Sequence, residues 1–426
     1  MRAGADAADA SAGLSRSTGV SVREGRVEDV ESAESGGIVL RVFLGERSAS
    51  VSTNVPDAPA EVAGRALAMA RAAPPDPLGG LAPKDRLARD VRDLDLHDAT
   101  ELSFDDLTAQ ALAAEEAALA VSGVTKSNGA GFGRTIGATA LVTSHGFAAS
   151  YRATSFSLSA SVIAGEGEAM ERDYDFDARR HRGDLRGAAE IGAEAGRRAV
   201  ARLGGTPVES GTVDVVFDPR VARGLVGHLL GAINGSSVAR GTSFLKDALG
   251  EAILPDHVRV CDDPFVPRGL ASRPFDAEGL AGVPLDLVEA GILRHFTLDG
   301  RAARQLSLDP NGRAARAGSG TRPSSSNVTL HAGPHTRDGL IGGIADGLYV
   351  TEMIGQGVNL VTGDYSRGAS GFRIRNGELA EPVTEVTIAA NLKDMFARLL
   401  VANDVTTRFA VNTPTLAVEG MTLAGR

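Results

Sequence analysis

The chain has 426 residues, more than one hydrophobic core usually serves, so two domains are predicted. Hydrophobic residues at 43% and charged residues at 23% fit a soluble globular chain, and no apolar run approaches the roughly twenty residues of a spanning helix. The net charge of −10 excludes a broad phosphate-neutralising surface and hence a direct nucleic-acid partner. The single cysteine, Cys261, excludes an intrachain disulfide or a multi-cysteine metal site. The opening residues lack a basic start followed by an apolar stretch, so the cytoplasm is the expected compartment. Lysine occurs only at Lys84, Lys126, Lys246 and Lys393, and the arginine excess carries no functional reading from composition alone.

In chain order, residues 19–52 predict strands broken by turns at Glu24-Gly25 and Gly36-Gly37. Residues 60–73 predict a helix ended by Pro74 and Pro75, with a proline-rich loop to Pro83. A second helix spans 103–122, capped by Ser103 with Asp106 three residues on. The glycines of GAGFG at 129–133 lack a following Lys-Ser/Thr and read as a turn, as does Ser144-His145-Gly146. From 154 to 162, Phe156, Leu158, Ala160 and Val162 alternate with serines, the period of a strand with one wet face. Residues 185–203 predict a helix, and the Gly204 to Pro207 stretch places the domain boundary, giving 1–205 and 206–426.

In the second half, residues 215–235 read as a strand running into an amphipathic helix, and Cys261 as a buried thiol on another strand. Gly368-Ala369-Ser370-Gly371 reads as a turn. Asn376-Gly377 predicts a two-residue hairpin, because both central positions of a type I′ turn need positive φ. Behind an Asn391 cap, Leu392, Met395, Phe396, Leu399 and Leu400 fall on one helical face. Strands dominate and helices are segregated, so the expected class is α+β: two domains with mixed or antiparallel sheets, helices packed on them, and a strand-rich C-terminal domain.

Candidate functional residues are few. His228, flanked by Leu229 and Leu230, reads as a packed histidine or as a contact to a partner or peptide. His331 and His335 are four apart but sit in a Gly/Pro loop that is unsuited to helical pairing. The GDYSRGASGF stretch offers Asp364, Tyr365, Ser366 and Arg367 among four glycines; it reads either as a structural crossing or as a contact loop in which Arg367 holds a carboxylate. The serine strand at 155–161 reads as a solvated face or as an edge for an added peptide strand.

The segments GHLLGAINGSS (227–237), SFLKDALGEAILPD (243–256), GLASRPFDAEG (269–279), TEMIGQGVNLVTGDYSRGASGF (351–372) and EVTIAANLKDMF (385–396) occur in this order, and through them the chain resembles the TldD/PmbA family. The closer resemblance is to its PmbA (TldE) branch. The likeness is strong over 208–426 and looser before it. It implies a pair of similar subunits: one carries a His-Glu-x-x-x-His zinc motif and a later cysteine ligand, and the other, PmbA-type, lacks them. Together they would form a metallopeptidase acting on unfolded peptides. Laid on that motif, Gly227 and Ala232 stand at the histidine positions and His228 at the glutamate, so the motif is degenerate, and residues 406–418 offer no cysteine. The expectation is a non-catalytic subunit that binds no metal, with zinc in a TldD-type partner. A homodimeric peptide or protein binder resembling a modulator of DNA gyrase is the alternative, and an independent hydrolase a third reading.

Overall fold

A computed structural model describes residues 4–54, 58–318 and 320–425. The first half contains β1 (Ala7–Arg23), β2 (Arg26–Leu44), β3 (Arg47–Thr53), α1 (Pro59–Ala72), α2 (Phe104–Leu119), β4 (Val124–Thr143), β5 (Ala148–Ala164), β6 (Glu171–Arg179) and α3 (Ala188–Ala201). Its strands form one antiparallel sheet in the order β3-β2-β1-β4-β5-β6. Glu24-Gly25 makes the first hairpin with φ of 52° and 73°, the left-handed pair that matches strand twist. The buried Glu115 carboxylate of α2 accepts from both turn amides at 2.8 Å, which ties the hairpin to the helix. Ser103 and Asp106 form a complete capping box at the start of α2. On β5 the four alternating apolar side chains are buried and pack against α2 and α3.

Three glycine-based turn readings fail. Gly36 and Gly37 lie inside β2, paired with Leu14 and Gly13, and the GAGFG run lies inside β4 after a bulge at Ser127 to Ala130. Residues 368–371 lie inside β15, defined below, where a Cβ at Gly371 would overlap the Tyr349 carbonyl. In each case glycine allows a bulge or a close backbone approach within a sheet rather than a reversal.

The second half comprises β7 (Gly211–Phe217), α4 (Pro219–Ala232), α5 (Gly235–Ala239), β8 (Val260–Asp263), β9 (Leu285–Glu289), β10 (Ile292–Leu293), α6 (Gly300–Leu306), β11 (Ala314–Ala317), β12 (Gly320–Pro323) and β13 (Asn327–Leu330). After these come α7 (Arg337–Gly342), β14 (Asp346–Ile354), β15 (Asp364–Arg375), β16 (Glu378–Asn391), α8 (Leu392–Ala397), β17 (Leu399–Val401), β18 (Val411–Asn412) and β19 (Leu416–Ala424). One sheet runs β16-β15-β14-β7-β19-β17, and a further β16–β19 pairing curls it into a barrel-like ring. A smaller sheet runs β10-β9-β8-β13-β18. The class is α+β with mixed pairing, since β7–β14 and β13–β18 are parallel.

Strand β7 is buried on both faces. Val213, Val215 and Phe217 meet α4 through Leu225, Val226 and Leu229, while Val216 meets Leu340 and Ile341 of α7. Asn376-Gly377 closes the β15–β16 hairpin with φ of 51° and 82°. Helix α8 stops at Ala397, and Leu399 and Leu400 pair with Val418 and Ala417 instead of extending it. An edge of β19 is the stronger partner here, and helical periodicity cannot register it. Cys261 is half-buried, because β8 turns Val260 and Asp262 inward and the thiol outward. Its pKa is nonetheless pushed up to about 11, chiefly by burial.

Candidate functional site

Helix α4 begins at an Asp218 cap that accepts from the Arg220 amide, with Pro219 in its first turn. Pro219 suits that position because its ring presets φ and the absent N–H has no helical partner there. The helix buries Ala222, Leu225, Val226, Leu229 and Ala232. His228 projects beside that stripe, half-buried, with its ring 6.0 Å from that of Tyr365 at 74°. Its Nε2 is buried without a hydrogen-bond partner. Burial and then the Arg367 charge push its pKa down, so the ring is neutral near pH 7.

The structure thus brings His228, Tyr365 and Arg367 together. It also shows the GDYSRGASGF segment to be strand from Asp364 onward rather than loop. Strand alternation turns Tyr365 inward and leaves Asp364 and Ser366 exposed on the other face. Asp364 there accepts from the Thr362 hydroxyl at 2.6 Å and the Asn391 amide at 3.2 Å. The serine strand is no free edge, since β5 pairs with β4 on one side and β6 on the other.

These positions do not fit a zinc ion. Gly227 is exposed and Ala232 buried, neither carries a donor, and the neighbour of His228 is a guanidinium. Among the described residues no three His, Cys, Asp or Glu side chains form a group able to hold a metal. A tetrahedral site with an open water position needs three such ligands.

A second feature escaped the sequence reading. A cleft of about 410 Å3 opens where β6 and α3 meet the start of α4, with α7 and the 404–413 segment completing its wall. Six arginines (Arg186, Arg198, Arg220, Arg223, Arg337 and Arg408) and four aspartates (Asp175, Asp177, Asp218 and Asp404) line it, an excess of two positive charges in a chain of net −10. On β6, Asp173, Asp175 and Asp177 are all buried, and alternation aims them at one cluster. Arg220 bonds Asp173 at 2.8 Å, and Arg186 and Arg198 both bond Asp175. Arg202 reaches from Glu171 at 3.2 Å to Glu352 of β14 at 2.5 Å, joining the two halves. The period-2 acids of RDYDFDAR were the available signal, but acids at that spacing ordinarily mark a solvated face.

The chain and its fold belong to a known class. The sequence matches PmbA/TldA metallopeptidase domain 1 over residues 8–70, the central domain over 97–203 and the C-terminal domain over 210–425. It is 39% identical to the metalloprotease PmbA of Escherichia coli O157:H7 over 97% of this chain and 91% of that protein. It is also 37% identical to a PmbA homologue of Haemophilus influenzae over 95% and 89%. The chain belongs to the PmbA/TldD metallopeptidase family, on its PmbA side. Among solved structures, a putative modulator of DNA gyrase from Bacteroides thetaiotaomicron aligns with TM-score 0.91 and 29% identity over 100% of this chain and 96% of that one. TldE from Thermococcus kodakarensis shares the fold, with TM-score 0.87 at 23% identity over 99% and 97%.

Proposed function

We propose that this chain is the non-catalytic, PmbA/TldE-type subunit of a heteromeric peptidase that acts on unfolded peptides, with the zinc ion and its ligands in a TldD-type partner. The observation that carries this reading is the chemistry of α4: glycine, histidine and alanine at Gly227, His228 and Ala232, with Arg367 beside the one imidazole. A cation there would meet one neutral donor and a fixed positive charge, which is an unfavourable balance at any effective dielectric. His228, Tyr365 and Arg367 then serve to contact peptide or partner, while water activation and proton transfer take place on the other subunit.

The test is digestion of an unfolded peptide by this chain, by a homologue bearing His-Glu-x-x-x-His, and by the two mixed, with metal analysis of each. Cleavage by the mixture well above that of either protein alone supports the reading. Cleavage together with stoichiometric zinc in the lone chain overturns it. A homodimer that remains silent in the mixture favours the alternative of a protein-binding modulator, the role named for the Bacteroides relative.

A further inference from the structure

The arginine cleft is unusual in the way its charges are satisfied. Every carboxylate in its wall already has a cation or a hydrogen-bond donor on at least one oxygen. Asp175 is bonded by Arg186 and Arg198. Asp177 accepts from the Arg179 guanidinium at 3.2 Å and the Arg186 amide at 3.1 Å. Asp218 accepts from the Tyr349 hydroxyl at 2.7 Å and the Arg220 amide at 2.9 Å. Asp404 accepts from the Thr415 amide and hydroxyl at 2.8 and 2.7 Å.

Three of the cations, by contrast, make no ion pair among the described residues. Arg223 lies over the Phe409 ring at 4.1 Å, and burial pushes its pKa down. Arg337 lies over the Tyr349 ring at 4.9 Å and has the Tyr349 hydroxyl and the Asp218 charge for neighbours, but its Nε is buried without a hydrogen-bond partner. Arg408 is exposed at the rim. A half-buried guanidinium loses hydration that only an acceptor can replace, and stacking on an aromatic face fixes its plane without using its in-plane donors. Such an arrangement is ready for a planar anion.

We propose that this cleft binds the C-terminal carboxylate of a peptide, held by Arg223 and Arg337, with the adjoining side chain against Phe409. The proposal rests on the peptide-handling function above and names the chemical end of the peptide recognised. Three observations favour a chain end over a through-running strand. The cleft volume suits one or two residues. The carbonyls of Arg172 and Tyr174 on the outer rim of β6 already accept from Arg202 and Arg198, so an added strand would have to displace or share those side chains. The aromatic wall stands beside the free guanidinium groups, as a residue with both a side chain and a terminal carboxylate requires.

The experiment measures binding to the full chain of an N-acetylated alanine-rich hexapeptide ending in leucine, as free acid and as C-terminal amide, with inorganic phosphate as a third probe. The free acid is expected to bind at least about tenfold more tightly than the amide, and more weakly as salt is raised. Arg223→Gln should erase most of that difference. Arg408→Gln, at an exposed position, should reduce it by a smaller factor, so the proposal stays open to refutation if the first variant misfolds. Equal binding of acid and amide overturns the proposal. So does phosphate binding more tightly than the acid, which would assign the cleft to phosphoryl groups. Because these measurements use the chain alone, absence of peptidase activity in the subunit mixture leaves them intact, and their failure leaves the subunit assignment standing.

Discussion

Two groups of arginines in this protein have opposite circumstances. Arg313 and Asp262 are both fully buried in the C-terminal half and satisfy one another: Nε meets Asp262 at 2.7 Å, and the remaining nitrogens meet the carbonyls of Asn311, Asp262 and Val283 at 2.7–2.9 Å. The other Asp262 oxygen accepts from the amide and hydroxyl of Ser326. In the cleft, Arg223 and Arg337 are less deeply buried and make no ion pair among the described residues, and the Arg337 Nε is buried without a hydrogen-bond partner. The contrast teaches that the fate of the donors, more than depth, separates an arginine that holds the fold from one that awaits a ligand.

The comparison can be broken first at its structural member. Arg313→Ala should cost about 3–5 kcal/mol, the usual penalty for leaving a buried charge alone, measured as a fall in the urea midpoint; a loss under about 1 kcal/mol would dissolve the distinction. The second arm is pH. Glu278, near the same core, is raised to about 7, chiefly by burial and then by Asp276. A raised acid binds its proton more tightly when folded, so its contribution to stability is present below the ordinary value of 4.5 and is lost as pH rises through about 7. Urea midpoints across pH 5–8 should fall with pH, and Glu278→Gln should flatten the slope; an unchanged slope in that variant removes Glu278 from the account. Arg202→Ala should cost about 1–3 kcal/mol by unpairing Glu171 and Glu352. His228→Leu should be neutral or stabilising by up to about 1 kcal/mol, since it deletes a buried nitrogen without a partner; a loss above about 2 kcal/mol would mean that the imidazole is bonded after all. Arg223→Gln should shift stability by no more than about 0.5 kcal/mol, the smallest effect and the sharpest contrast with Arg313.

What was legible in the sequence follows the range of the interactions involved. The Ser103 cap, the Glu24-Gly25 and Asn376-Gly377 hairpins, the β5 alternation and the β7-to-α4 passage are set by residues within a few positions of one another, and all are found. Gly36-Gly37 and Gly368 to Gly371 misled because a turn glycine and a strand glycine look alike until the neighbouring strand is known. His228, Tyr365 and Arg367 were singled out separately, on two distant segments; that they lie in one cluster is seen only in the fold. The cleft was illegible because its arginines come from α3 and the turn before it, α4, α7 and the segment before β18, and its acids from β6 look solvated in a linear reading.

The long β1–β2 hairpin has a last consequence. From Arg26 to Gly37, β2 pairs with β1 alone among the described residues, leaving an outer rim of unpaired backbone that could template stacking between copies. Its side chains there are exposed and include Glu28, Asp29, Glu31 and Glu34. Like charges facing one another across such a seam repel, so the same acids that make this hairpin unremarkable in sequence guard the molecule against edge-to-edge aggregation.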